Sequence, residues 1–258
     1  MGLKKGFGLI STLGAVVFIF GFSVVSLAQT EKGVVAYYDF DEGSGSIAHD
    51  KSGNNNTGEI HGATWVDGIS NKALLFDGNS NSYVNCGNDR SLSCGSNDVT
   101  ISVWVKANDL TDAMDILTKG SEYKVRVGGG YRRGGEEGTS SVIMFVEDWD
   151  TYLYSGAIGT GIWTFITYVK TGKKLHCFIN GVFSDSSRGG KDIPLSVPVS
   201  EAVLSIGGGN FKGLIDEVRI YNRALSKEEI QEHYKVRTEA KEKETEKKMK
   251  EKLNELGL

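Results

Sequence analysis

Between residues 33 and 226 the chain never holds a 3.6-residue apolar period for the length of a helix; it breaks into short alternating runs parted by glycine and Asx turns. Residues 99–106 (VTISVWVK) show the pattern, with Val99, Ile101, Val103 and Val105 on one face and Thr100, Ser102, Trp104 and Lys106 on the other. Alternation at period two is the mark of a strand with unlike faces. Residues 163–170 and 175–179 are spaced as a hairpin, and Asn180-Gly181, the strongest short hairpin signal, turns the chain again. Residues 211–226 (FKGLIDEVRIYNRALS) supply a closing strand, read with Leu214, Asp216, Val218 and Ile220 on the core row, so that an acid interrupts the apolar side. A carboxylate on such a row needs a cation, a metal or backbone N–H groups. Roughly twelve to fourteen short strands result, without an internal repeat, which argues against a propeller or β-solenoid and points to an all-β fold: a two-sheet antiparallel jelly-roll sandwich with first and last strands side by side.

The 34 glycines and two prolines fit many turns between strands. Residues 1–28 carry Lys4 and Lys5, then an uncharged, largely apolar run ending in Ser26-Leu27-Ala28. That is the layout of a secretory signal peptide, with a membrane anchor as the alternative if it is not cleaved. The expected location is secreted, periplasmic or cell-surface. With those two lysines set aside from the 29 basic residues, 27 remain against 33 acids, a balance that argues against nucleic acid as a partner. After residue 225 the period changes. Ser226 and Glu229 form a capping box, and Leu225 and Ile230 can staple the start of a helix. The charged tail, residues 235–258, continues it with Glu239–Lys243, Glu244–Lys248 and Glu246–Lys250 at i,i+4 spacing, the pattern of a solvated helix.

Residues 37–45 (YYDFDEGSG), 50–54 (DKSGN) and 73–78 (ALLFDG) resemble the opening of a LamG-like jelly-roll domain, and Asn180-Gly181 with residues 215–226 resembles its close. The resemblance, to the laminin-G-like branch of the concanavalin A-like lectin/glucanase superfamily, spans residues 33–234. It implies a binding module for carbohydrate or cell-surface protein, sometimes with calcium, and no particular activity. The Glu-x-Asp-x-x-Glu strand of the related glucanases is absent, so an enzyme is not expected; an adhesion domain, or a glycan-degrading enzyme with an unrecognised acid pair, are the alternatives.

Calcium takes six to eight oxygens, several of them carboxylates. Asp39 and Asp41 near the first strand and Asp216 on the last would converge if those strands are neighbours; the alternative is that these acids pin turn backbone without metal. For a glycan, the candidates are Tyr131, Arg132 and Arg133 in the loop of residues 128–138 (GGGYRRGGEEG), and Trp149 and Tyr152 around the next turn, exposed aromatic and polar groups on loops. Trp104 and Trp163, inside strands, are expected to pack. Cys86 and Cys94 bracket a short loop as a disulfide would in an oxidising compartment, leaving Cys177 as a buried thiol.

Overall fold

The computed structural model describes residues 31–95, 98–129, 139–146, 151–186 and 197–256. For residues 139–146, 151–152, 154–157 and 185–186 only the backbone is described. The expected signal segment therefore lies outside the described residues. Among those described, no helix is long and apolar enough to cross a membrane.

In chain order the strands are β1 (Val34–Tyr38), β2 (Ile47–Ala48), β3 (Gly58–His61), β4 (Thr64–Asp67), β5 (Lys72–Asp77) and β6 (Tyr83–Asn85). There follow β7 (Val99–Ala107), β8 (Met114–Lys119), β9 (Tyr123–Val127), β10 (Thr139–Val146) and β11 (Thr151–Gly159). The last are β12 (Thr164–Thr171), β13 (Lys174–Ile179), β14 (Val182–Ser186), β15 (Leu204–Ile206) and β16 (Lys212–Tyr221), followed by a long helix, α1 (Lys227–Glu255). They form two antiparallel sheets, the jelly-roll sandwich expected. One runs β14-β13-β12-β7-β16-β5-β4, with β1 also on β16; the other runs β11-β10-β9-β8-β15-β6-β3-β2. Their inner faces meet in one core that includes Tyr38, Phe40, Phe76, Ile101, Val125, Leu204 and Ile215.

Strand β16 organises the first sheet. Lys212–Ile215 pair with β5 and Val218–Tyr221 pair with β1, so two partners share one edge end to end. Where they meet, the register with β7 slips between Asp216 and Arg219, and Glu217 takes the left-handed value φ 52°. This is a bulge, and it corrects the face assignment read from alternation. Ile215 packs in the core before it and Val218 and Ile220 after it, whereas Leu214 is only half-buried. One extra residue reverses the phase of a period-two element.

Helix α1 lies on the outer face of this sheet. Ile230 is fully buried there, and the Tyr234 ring stacks on Trp104 at 5.6 Å beside Phe165. Trp104 and Trp163 are packing residues of this second cluster, as expected. The capping box forms: Ser226 Oγ accepts from Glu229 N at 3.2 Å, and Ser226 N donates to Glu229 Oε2 at 2.7 Å. Of the i,i+4 pairs, Glu244–Lys248 closes at 2.6 Å, while Glu239 turns back to Lys235. The expected boundary at 234/235 falls inside this unbroken helix, and Arg237 and Lys241 beyond it still reach Glu217 and the Gly68 carbonyl.

Candidate binding face and the acid junction

The three acids expected to hold a metal lie at the junction of β1, β5 and β16. Asp39 Oδ1 accepts from Asp41 N at 3.3 Å, and its other oxygen faces Lys51 Nζ at 3.9 Å. Asp41 accepts from Lys72 N at 3.1 Å and from Asn71 Nδ2 at 2.9 Å. Asp216 Oδ2 accepts from Ile69 N at 3.0 Å, while its buried Oδ1 has no hydrogen-bond partner. Among the described residues no group of three or more His, Cys, Asp or Glu side chains is placed to hold a metal ion. Burial first, then Glu217 and Asp41, pushes the Asp216 carboxyl well above the usual carboxylate range. Beside it, Glu217 is fully buried and ion-paired to Arg219 at 2.8 Å and Arg237 at 2.7 Å, and accepts from the Tyr37 hydroxyl at 3.0 Å. The junction ties the last strand, the first strand and the helix together.

The Asx-rich loop after β1 is pinned by a single carboxylate. Asp50 Oδ1 accepts from Tyr37 N and Ser52 N, and Oδ2 from Asn56 N and Ser52 Oγ, all between 2.8 and 3.0 Å. Cys86, Cys94 and Cys177 are buried free thiols, and no bond joins Cys86 to Cys94. Burial pushes the Cys86 and Cys94 thiols up to about 12. Tyr131, Arg132, Arg133 and Trp149 fall outside the described residues. Tyr152 lies in β11 with its Cα opposite Phe145 of β10, and its side chain is not described.

With α1 over the first sheet, the outer face of the second is the one that no other element covers among the described residues. Alternation puts its side chains opposite the core: Ile60, Val84, Leu204, Val125 and Val127 point inward, so Glu59, His61, Tyr83, Asn85, Ser205, Lys124 and Arg126 point out. His61 and Tyr83, cross-strand neighbours on β3 and β6, stack at 4.7 Å between centroids and 20° between planes. On the far side of Tyr83, Gly208 and Gly209 continue from β15 without side chains. A Cβ added at Gly208 would stand 3.7 Å from the Tyr83 Cβ, and one at Gly209 would meet Asp115 at 3.0 Å. Asp115 closes the opposite wall, its two oxygens ion-paired to Arg126 Nε at 2.6 Å and Lys124 Nζ at 3.3 Å. Tyr83 and Asp115 thus flank a strip of bare glycine backbone, the Tyr83–Asp115 slot.

None of these wall residues is singled out by the sequence. The signal present there is the alternation in KVRV, which puts Lys124 and Arg126 on one face; what brings Asp115 and Tyr83 to them is strand order.

The family described as the concanavalin A-like lectin/glucanases superfamily matches residues 77–231. The chain belongs to it. No curated protein matches the chain. Among solved structures, the binding domain of Paraclostridial Mosquitocidal Protein 1 superposes with a TM-score of 0.63 at 21% identity, over 80% of this chain and 52% of that one. Domain 4 of AbnA, a GH43 extracellular arabinanase from Geobacillus stearothermophilus in complex with arabinotriose, gives 0.58 at 24% identity, over 77% and 97%. The Botulinum Neurotoxin Type G Receptor Binding Domain gives 0.59 at 16%, over 79% and 51%. The chain thus spans about half the length of the two toxin binding domains and nearly all of the arabinanase domain. In this lectin/glucanase-type sandwich the closing motif of residues 215–226 is the bulged strand β16 with the helix cap. The opening motif of residues 37–54 is the Asp50-pinned corner, which lies outside the matched range.

Proposed function

We propose that this protein is an exported, non-enzymatic binding module that takes carbohydrate in the slot between Tyr83 and Asp115. One observation carries the reading: a Tyr83 ring stacked on His61 and a carboxylate ion-paired to two cations stand on either side of the bare glycine run that follows β15. A sugar ring offers an apolar C–H face and a fringe of hydroxyls. The first suits an aromatic wall; the hydroxyls suit a carboxylate that accepts and a guanidinium that donates. The fold shared with an arabinanase domain complexed with arabinotriose supports it. The described acids of this face, Glu59 and Asp115, stand three strand spacings apart, roughly 14 Å, beyond the separations of the glycosidase acid pairs, which favours binding over hydrolysis. Calorimetric titration of the full chain with arabinose, xylose and glucose oligosaccharides tests it. Binding that Tyr83→Ala and Asp115→Ala each weaken at least tenfold is expected. Silence across that panel, with binding to a surface protein instead, would replace it with the adhesion reading.

A structural calcium ion is a second reading, favoured by the unpartnered buried Oδ1 of Asp216. Asp216 and Asp41 would supply its carboxylates; Asp39, directed at Lys51 and Asp41 N, would not. A shift of the unfolding midpoint on adding chelator is expected on this reading, and an unmoved midpoint removes it.

A further inference from the structure

Helix α1 changes character along its length. Ile230 and Tyr234 pack on the sheet near its start, whereas every residue from 245 to 256 is exposed. Between these parts the helix and the β4–β5 turn form an open groove of about 420 Å³, lined by Ile69, Thr238, Lys241, Glu242, Thr245 and Glu246. Both threonines turn their hydroxyls onto the helix itself. Thr238 Oγ1 donates to the Tyr234 and Lys235 carbonyls at 3.1 and 3.0 Å, and Thr245 Oγ1 to the Lys241 carbonyl at 2.8 Å. Lys241 Nζ is drawn to the Gly68 carbonyl at 2.9 Å and to Glu244 at 3.5 Å. The threonine methyls and the Lys241 stem are left for the groove. Four residues beyond Thr245 the same helix face continues as Met249, Leu253 and Leu256, at i, i+4 and i+7, and these are 61, 41 and 64% exposed. An unfilled apolar groove and an uncovered apolar stripe thus stand end to end on one face. Charge along this stretch is divided as well. Residues 239–246 hold four acids and two bases, and residues 247–252 hold four bases and one acid.

We infer that α1 pairs with the α1 of a second copy of this chain, antiparallel, about a twofold axis near residues 247 and 248. Each copy then lays Met249, Leu253 and Leu256 along the groove of the other, so one contact is made twice and each unfilled groove receives an uncovered stripe. Charge selects the direction. A parallel pair sets acidic block against acidic block and basic against basic, whereas the antiparallel pair sets each acidic block against the other copy's basic one. The overlap, residues 238–256, gives roughly 28 Å of paired helix. Three apolar side chains from each copy make this a small interface, so the dimer is a reversible one. The Tyr83–Asp115 slot, on the other sheet, takes no part, and a dimer carries two of them. The inference is independent of the carbohydrate reading.

Sedimentation equilibrium of the full chain, from micromolar to near-millimolar concentration, tests it. A monomer–dimer equilibrium is expected, with a dissociation constant raised at least tenfold by Met249→Lys and by Leu253→Lys. Both positions are exposed, so the thermal unfolding midpoint at low concentration should stay at the wild-type value. Thr245→Lys, on the groove side, makes the same test should either variant fail to fold. Direction is read with a short thiol crosslinker. Lys248→Cys, near the axis, is expected to join to its copy, whereas two Leu256→Cys positions lie roughly 25 Å apart in the antiparallel pair and stay unjoined. A chain that remains monomeric at every concentration overturns the inference. So does a dimer indifferent to all three lysine substitutions, or Leu256→Cys joining where Lys248→Cys does not.

Discussion

At the scale of single residues the decisive pair is Asp216 and Glu217, adjacent acids with opposite circumstances. Glu217 is fully buried with two arginines and a tyrosine hydroxyl on it. Replacing it with alanine leaves Arg219 and Arg237 without their carboxylate, and stability is expected to fall by about 3–5 kcal/mol, read from urea unfolding. Asp216 is nearly bare of partners, and its carboxyl is raised by burial and then by Glu217 and Asp41. The folded form therefore keeps a proton that the unfolded chain releases near pH 4. The corresponding stability is complete below that pH and is lost as pH rises toward the folded value. Asp216→Asn keeps an oxygen for Ile69 N and cannot ionise. It is expected to unfold at higher urea than wild type at pH 7, with the gap closing at pH 4. A less stable Asp216→Asn at pH 7, equalised by chelator, would mean that a cation occupies the junction. An acid in an apolar run was legible in the sequence as needing a partner. Its position off the core row was not, since a bulge changes phase without changing composition.

At the scale of elements, α1 shows how far local signals reach. Ser226, Glu229, Leu225 and Ile230 are contiguous, so the start of the helix could be read directly. Ser226→Ala is expected to cost about 0.5–2 kcal/mol, measured by thermal or urea unfolding. Arg223 side-chain hydrogen bonds hold the Glu229 carboxyl at about 2, so that contribution is present above the unfolded value near 4.3 and fades as pH falls toward 2. Because both groups are part-exposed, it is small. The i,i+4 charges suggested a solvated tail, and residues 245–256 are indeed exposed throughout. Ending the chain at Glu246 is expected to change stability by less than about 0.5 kcal/mol. Ending it before Lys227 uncovers Trp104 and Phe165 and is expected to aggregate the protein, visible by light scattering. The sequence did not show that Tyr234, Arg237 and Lys241 would dock on the sheet, since their partners lie elsewhere in the chain, from Tyr37 to Glu217.

At the scale of the whole molecule the two sheets have different fates. One carries a helix on its outer face; the outer face of the other has no covering element among the described residues, and the Tyr83–Asp115 slot lies there. The sequence by itself determined the strands, the turns between them, the jelly-roll class and the helix cap, because period, turn chemistry and capping act between near neighbours. The motifs of residues 37–78 and 215–226 were also legible as the opening and close of one sandwich. Only the tertiary structure decided which face stayed open, where β16 slips phase, and that Tyr83, Gly208 and Asp115 surround one slot. Those depend on strand order. Pairing between β6 and β15, or β15 and β8, joins segments far apart in the chain, and no local pattern encodes such partners.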